Sequence, residues 1–316
     1  MTSDADLDAI YEARIRPRLF RNATTQLAPS AVLLGGSPGS GKSRSAVVVR
    51  SLAQPQQLTP IIGDDLRPFH PDYERLLDVD PLAMPDATAA ASGRWVEAAI
   101  RDAQEHRYPV LIEGTFRRSE VTIDTATSFR AHGFDVHLVA LAVPDWESRL
   151  GVLDRYVSDH GADRAARFTS LDAHDRSYQA VPDTVDRAIA TGVVDRVTIL
   201  DRQGRTLHDS RPPSDVAALA ALERGRHRLP VSGEREAHSG RLAAAMAYLQ
   251  QTDQLDDRTF PLVDAIRRDR EILTALDARR IADTDQARGA GSPPLRIDGR
   301  AHLRAVDPER DQGRDL

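Results

Sequence analysis

The run Gly36-Ser37-Pro38-Gly39-Ser40-Gly41-Lys42-Ser43 satisfies every fixed position of the pattern G-x-x-x-x-G-K-[ST]. Glycines let a backbone wrap close around a polyphosphate, so that successive N–H groups face its oxygens. A helix starting where the run ends adds the positive end of its dipole. In such a loop Lys42 reaches the β- and γ-phosphates and the Ser43 hydroxyl ligates magnesium. A surface glycine loop that matches by chance is the competing explanation. The apolar run Ala31-Val32-Leu33-Leu34 before the loop and the helix-compatible stretch Ser45 to Leu52 after it argue against chance.

A phosphate loop alone indicates only a nucleotide. Phosphoryl transfer also needs a metal, a carboxylate at the acceptor hydroxyl and cations on the developing charge. Asp64 is the foremost acceptor-side carboxylate, because it follows the second expected strand; Asp65 is its rival, and a turn or N-cap aspartate is the structural alternative. Glu113, after the third expected strand, is the second carboxylate. Arg155 and Arg167 flank a polar segment with the look of a lid, where arginine's planar fork suits phosphate oxygens. In a chain this rich in arginine, a solvated helix face is the bland alternative. No N-K-x-D element for guanine recognition is present, and the histidines show no metal-ligand spacing.

Alternating strands and helices must position these groups. The pattern predicts a helix over 5–20, a strand over 31–35 before the loop, and a strand over 60–62. A helix over 85–106, a strand over 108–112 and a helix over 119–132 stopped by Gly133 follow. The longest apolar run, 134–143, reads as a central strand, followed by a helix over 145–158. Pro182 is expected to interrupt the helical pattern between 171 and 191. A strand over 197–200 and an edge strand over 206–209 complete an α/β fold, a mostly parallel sheet with helices on both faces. Ligands of such sheets gather at the carboxyl ends of the strands, and positions 64, 113 and 115 all fall there.

The 316-residue chain is 41% hydrophobic, carries a net charge of −6 and has no cysteine. Disulfides, thiolate metal sites and cysteine nucleophiles are excluded. The charge gives no reason to expect nucleic acid or a membrane surface as partner, and no apolar stretch is long enough for a membrane span. A soluble cytoplasmic protein is expected. Residues 1–211 read as the catalytic domain, 212–285 as a helical C-terminal extension with a basic loop-like stretch over 224–239, and 286–316 as a disordered tail.

The ordered motifs resemble the zeta-toxin family of P-loop kinases over roughly residues 28–210. They are the phosphate loop from Gly35 to Ser43, Gly63-Asp64-Asp65-Leu66-Arg67 with His70-Pro71-Asp72-Tyr73, Glu97, and Ile112-Glu113-Gly114-Thr115-Phe116-Arg117. Further along come Ala142-Val143-Pro144, Gly151 with Arg155-Tyr156, Ala166-Arg167, Ala173-His174-Asp175 and Asp201-Arg202-Gln203-Gly204. The resemblance implies a P-loop kinase-like fold. It also implies an ATP- and magnesium-dependent kinase acting on the 3′-hydroxyl of the amino sugar of UDP-N-acetylglucosamine, the toxin of a pair with a small helical antitoxin. It implies Asp64 as the base, the spacing to His70-Pro71 favouring it over Asp65. Lys42 is then the phosphate ligand, Arg155 and Arg167 the phosphoryl clamp, and Arg67, Glu97, Glu113, Thr115 and Arg117 the acceptor contacts. The alternatives are a kinase of another small hydroxyl-bearing metabolite or antibiotic, and a nucleotide-dependent switch with a helical partner-binding extension.

Overall fold

The computed structural model describes residues 3–53, 56–80, 82–162, 166, 168–211, 213 and 215–289, with the side chains of 215, 232 and 277–289 outside the description. The chain forms two compact units, Met1–Thr274 and Ala275–Leu316. The first unit holds the sheet; the second contains the distal part of the last helix.

The chain begins with α1 (Asp4–Ile10), a π-helical turn at Tyr11–Ile15 and α2 (Arg16–Leu19). Strand β1 (Ser30–Gly35) leads to α3 (Lys42–Leu52), and β2 (Thr59–Ile62) to the short α4 (Gly63–Leu66). Helices α5 (Tyr73–Val79), α6 (Met84–Ala87) and α7 (Ala89–His106) precede β3 (Val110–Gly114) and α8 (Ser119–Ala131). Strand β4 (Asp135–Leu141) is followed by α9 (Asp145–Gly161) and α10 (Leu171–Ala190). Strands β5 (Arg196–Leu200) and β6 (Thr206–Ser210) close the sheet, and α11 (Asp215–Arg226), α12 (Ser232–Gln251) and α13 (Phe260–Gly289) follow.

The six strands run in the order β2-β3-β1-β4-β5-β6. All neighbours are parallel except β6, which lies antiparallel on β5. Each interior strand splits its side chains between two cores, because successive side chains of a strand face opposite ways. Ala31 and Leu33 of β1 join Trp95 and Ala99 of α7, Phe129 of α8 and Val185 of α10. Val32 and Leu34 join Ala46 and Val49 of α3 on the other face. Leu7, Tyr11 and Ile15 of the N-terminal helix belong to the first of these cores. A third core has no strand: Leu150, Leu153 and Tyr156 of α9 pack against Leu242 and Leu249 of α12 and Leu262 and Ile266 of α13.

Three expectations need correction. Pro182 does not interrupt its helix: α10 runs unbroken from Leu171 to Ala190. Its stripe of buried residues, His174, Ser177, Val181, Thr184, Val185 and Ala188, offsets the roughly 3 kcal/mol that an interior proline costs. The expected loop over 224–239 shrinks to 227–231, and α12 begins at Ser232. Glu234 accounts for this start, since its carboxylate accepts the Val231 N–H at 3.1 Å and pairs with Arg228 at 2.7 Å. The expected helix over 85–106 is two helices, divided at Thr88, whose hydroxyl donates to Met84 O at 2.8 Å. At the C-terminal end α13 is described as far as Gly289, and the expected tail from 290 onward lies outside the described residues.

Candidate active site

The strand register sets the site. Gly35 pairs with Gly114, and Glu113 stands between Leu34 on one side and Ile62 on the other. The loop after β1, the turn after β2 and the end of β3 therefore emerge side by side. Lys42 comes from the first, Asp64 from the second, Glu113 and Thr115 from the third. All four line one cavity of about 980 Å³, together with Pro38, Arg67, Arg117 and Arg155. A volume of this order sits at the upper end of small-molecule sites.

The loop has the backbone its glycines permit: φ is 74° at Gly39 and 93° at Gly41. It is also gripped from outside the motif. A Cβ on Gly39 would collide with the carbonyl of Ser148 and stand 2.6 Å from Val152 N, both in α9. A Cβ on Gly151 would collide with Gly39 O in return. Arg202, after β5, donates to Gly39 O, and its aliphatic stem borders Gly41. The Ser40 hydroxyl is buried with no hydrogen-bond partner among the described residues. Lys42 Nζ donates to Gly36 O at 2.9 Å and Ser37 O at 3.1 Å. Burial pushes its ammonium down to about 8; the carboxylates of Glu113 and Asp64 oppose that shift and Arg155 adds to it. Ser43 is solvent-exposed in the first turn of α3.

The carboxylate side is equally ordered. Arg67 Nε donates to Asp64 Oδ1 at 2.8 Å, and Arg67 Nη1 reaches Thr88 Oγ1 at 2.7 Å and the carbonyl of Pro85. Asp64 stays 43% exposed, within reach of a ligand, while Arg67 at 15% is fixed behind it. Ser92 of α7 donates to Gly63 O at 2.6 Å, which holds the same turn from another direction. Burial raises the Glu113 carboxyl; Lys42 and Arg155 resist the shift, and Asp64 and Asp65 reinforce it. Two carboxylates and two cations thus share one field, which Glu113 and Lys42 both register.

The turn after β3 and the segment before α10 complete the walls. Phe116 has a positive φ of 52°, rare for a non-glycine residue. Its carbonyl accepts from Thr184 Oγ1 at 2.9 Å, and its ring fills the space that Gly35 leaves empty. This locked residue stands between Thr115 and Arg117, which both line the cavity. Arg155 Nη2 donates to Thr169 Oγ1 at 3.2 Å, just before Ser170 caps α10 by accepting from Ala173 N at 3.3 Å.

Glu97 and Ser43, both expected site residues, are not among the residues that line the cavity. Arg167 lies outside the described residues. Glu97 is exposed. It sits five positions after Ser92 on α7, about 140° around the helix from that cavity-lining residue. Residues the sequence reading left without a role are Ser92, which looked like an ordinary helix position, and Arg202, which stood in a quoted motif. Asp257, Arg258 and Pro261 of the C-terminal region also line the cavity and carried no motif.

Fold and site together define a P-loop kinase-like α/β protein, with a phosphate loop and an acidic turn facing one cavity. The sequence model of the family described as "Zeta toxin" matches residues 16–212, and the chain belongs to that family. It is 30% identical to Toxin zeta of Enterococcus hirae over 72% of this chain and 80% of that protein. It is 28% identical to Toxin PezT of Streptococcus pneumoniae over 65% of this chain and 81% of that protein. A solved structure from the characterisation of the PezAT chromosomal toxin–antitoxin system of Streptococcus pneumoniae has the same fold, with a TM-score of 0.66 at 24% identity over 79% of this chain and 97% of that one. Among the described residues no helix is long and apolar enough to cross a membrane.

Proposed function

We propose that the chain is an ATP- and magnesium-dependent kinase of a small hydroxyl-bearing molecule, with UDP-N-acetylglucosamine phosphorylated on the 3′-hydroxyl of its amino sugar. We further propose that it serves as the toxin of a toxin–antitoxin pair, restrained by a small helical partner. One arrangement carries the reading: Lys42 of the phosphate loop and Asp64 of the next βα turn line the same cavity, with Glu113 between their strands. A nucleotide switch needs no carboxylate facing its phosphates across room for a second ligand. The toxin role rests on the relatives named Toxin zeta and Toxin PezT.

The chemistry follows from the positions. The acceptor hydroxyl approaches the γ-phosphorus; its proton passes to Asp64, whose orientation the Arg67 pair fixes. A new P–O bond forms as the bond to the β-phosphate oxygen breaks, and the electron pair leaves with ADP. Lys42 and the loop amides meet the charge that gathers on the departing phosphate, and Arg155 meets the equatorial oxygens. Glu113, Thr115 and Arg117 hold the acceptor. The exposed Ser43 hydroxyl at the start of α3 suits a hard cation such as magnesium: Ser43 would hold the ion, which would supply positive charge against the polyphosphate. Dispersed positive charge, not covalent catalysis, does the work.

The test is incubation of the purified chain with ATP, magnesium and UDP-N-acetylglucosamine, followed by mass spectrometry. The reading expects a sugar nucleotide heavier by one phosphoryl group. ATP consumption with only inorganic phosphate released would favour the switch. Transfer to a different alcohol would keep the kinase and remove the sugar nucleotide.

A further inference from the structure

The C-terminal turn is a built part of the cavity wall, although Asp257, Arg258 and Pro261 lie beyond residue 212, where the family match ends. Asp253 adopts φ 56° to turn the chain out of α12. Asp256 Oδ1 accepts from the N–H groups of Arg258 and Thr259 at 3.0 Å each, and Thr259 Oγ1 donates to Gln254 O at 2.6 Å. The Gln254 side chain accepts from the Tyr156 hydroxyl at 2.7 Å. Tyr156 is buried and follows Arg155 in α9, so the turn is tied to the helix that carries the proposed clamp.

On its other side the turn reaches the segment after α5. Arg258 Nη1 donates to Asp80 Oδ1 at 3.0 Å, and the same Asp80 oxygen accepts from Ala83 N at 3.2 Å. Leu82, Pro85 and Asp86 of this segment line the cavity, and Leu82 packs on the core shared by α9, α12 and α13. Pro85 O takes the Arg67 side chain that pairs with Asp64. A chain of contacts therefore runs from Arg258 through Asp80 and the α6 segment to the carboxylate end of the cavity.

We infer that Arg258 and Asp80 form a clasp that joins the C-terminal turn to the α5–α6 segment and closes the acceptor end of the site. Arg258 is then a positioning residue for acceptor binding. This deepens the kinase reading and rests on it. Both side chains are exposed, 56% for Arg258 and 44% for Asp80, so the clasp is a weak pair. Its effect is of the order of fivefold, the scale of one exposed ion pair.

Charge exchange on the full chain tests it. Arg258→Glu, Asp80→Arg and the double variant are compared with the unchanged protein in three measurements: affinity for ADP, affinity for UDP-N-acetylglucosamine, and ATP hydrolysis without acceptor. The clasp predicts that each single variant weakens sugar-nucleotide binding about fivefold and raises acceptor-independent hydrolysis, because water enters a looser site. ADP affinity stays unchanged, and the double variant returns both altered quantities towards their original values. A double variant no better than the worse single one, or single variants equal to the unchanged protein, overturns the clasp. If the unchanged protein binds ADP but not the sugar nucleotide, the substrate assignment fails. The hydrolysis pattern across the four proteins then supports or overturns the clasp by itself.

Discussion

The depressed proton affinity of Lys42 makes nucleotide binding steeply pH-dependent in a definite window. Burial holds the ammonium at about 8 against an ordinary 10.5. A bound polyphosphate supplies the opposite charge that the buried ammonium lacks and restores its ordinary affinity for the proton. Below pH 8 the lysine is charged before and after binding, so affinity is flat. Above pH 8 binding must take up a proton, and affinity falls by up to tenfold per pH unit until the restored value is reached. Between pH 7.5 and 9.5 the expected loss is about 20-fold. The chain has no cysteine, so no thiol titrates in this interval. Calorimetric titration with ADP in buffers of different ionisation enthalpy reads both quantities. At pH 8.5 it is expected to show uptake of roughly three quarters of a proton per nucleotide bound. Lys42→Met is expected to bind weakly and without the slope. A flat profile for the unchanged protein, or the same slope in Lys42→Met, would refute the reasoning.

Other outcomes follow from the same structure. Because a buried ammonium with depressed affinity costs stability below pH 8, Lys42→Met is expected to stabilise the ligand-free protein by about 1–3 kcal/mol at pH 7 while abolishing transfer, measured by urea denaturation. His137 is buried between strands with Nε2 at 2.7 Å from Thr198 Oγ1, and burial, reinforced by Arg196, lowers it from 6.5 to about 4. Its contribution is intact above pH 6.5 and is lost as pH falls towards 4, so denaturation at pH 4.5 is expected to show roughly 2–3 kcal/mol less stability from this residue than at pH 7.5. His137→Gln is expected to flatten that part of the profile. Gly151→Ala, in a helix outside the phosphate-loop motif, is expected to impair ADP binding as severely as Gly39→Ala, since the two backbones touch; normal ADP affinity in Gly151→Ala would contradict the packing described.

The sheet and the grouping of the candidate site residues were legible because each had a short-range signal. The glycine loop lies between an apolar strand and a helix, and Asp64 and Glu113 fall directly after strand runs. Parallel register then brings them together without further information. Features decided by tertiary packing were not legible. Pro182 is a local helix breaker, and only the buried stripe on α10 overrides it. The basic stretch over 224–239 looked like loop, yet one glutamate bonding back to Val231 N starts a 20-residue helix inside it. Glu97 stood in a helix whose period was evident but whose facing angle was not. The C-terminal wall of the cavity was invisible for a different reason: Arg258 reaches Asp80 across 178 positions of sequence, and no spacing rule connects them.

The measurement closest to the central claim is the single-turnover rate of phosphoryl transfer to UDP-N-acetylglucosamine by Asp64→Asn, taken with its ADP affinity. The bond from Ser92 to Gly63 O and those from Arg67 to Thr88 and Pro85 hold the turn without using the Asp64 carboxylate, so the fold and the nucleotide site are expected to survive. The account predicts a rate lower by about 10²–10⁴, the usual contribution of a positioned general base, with ADP bound as before. A rate within a few-fold of the unchanged protein would show that the hydroxyl proton goes elsewhere and would contradict the assignment.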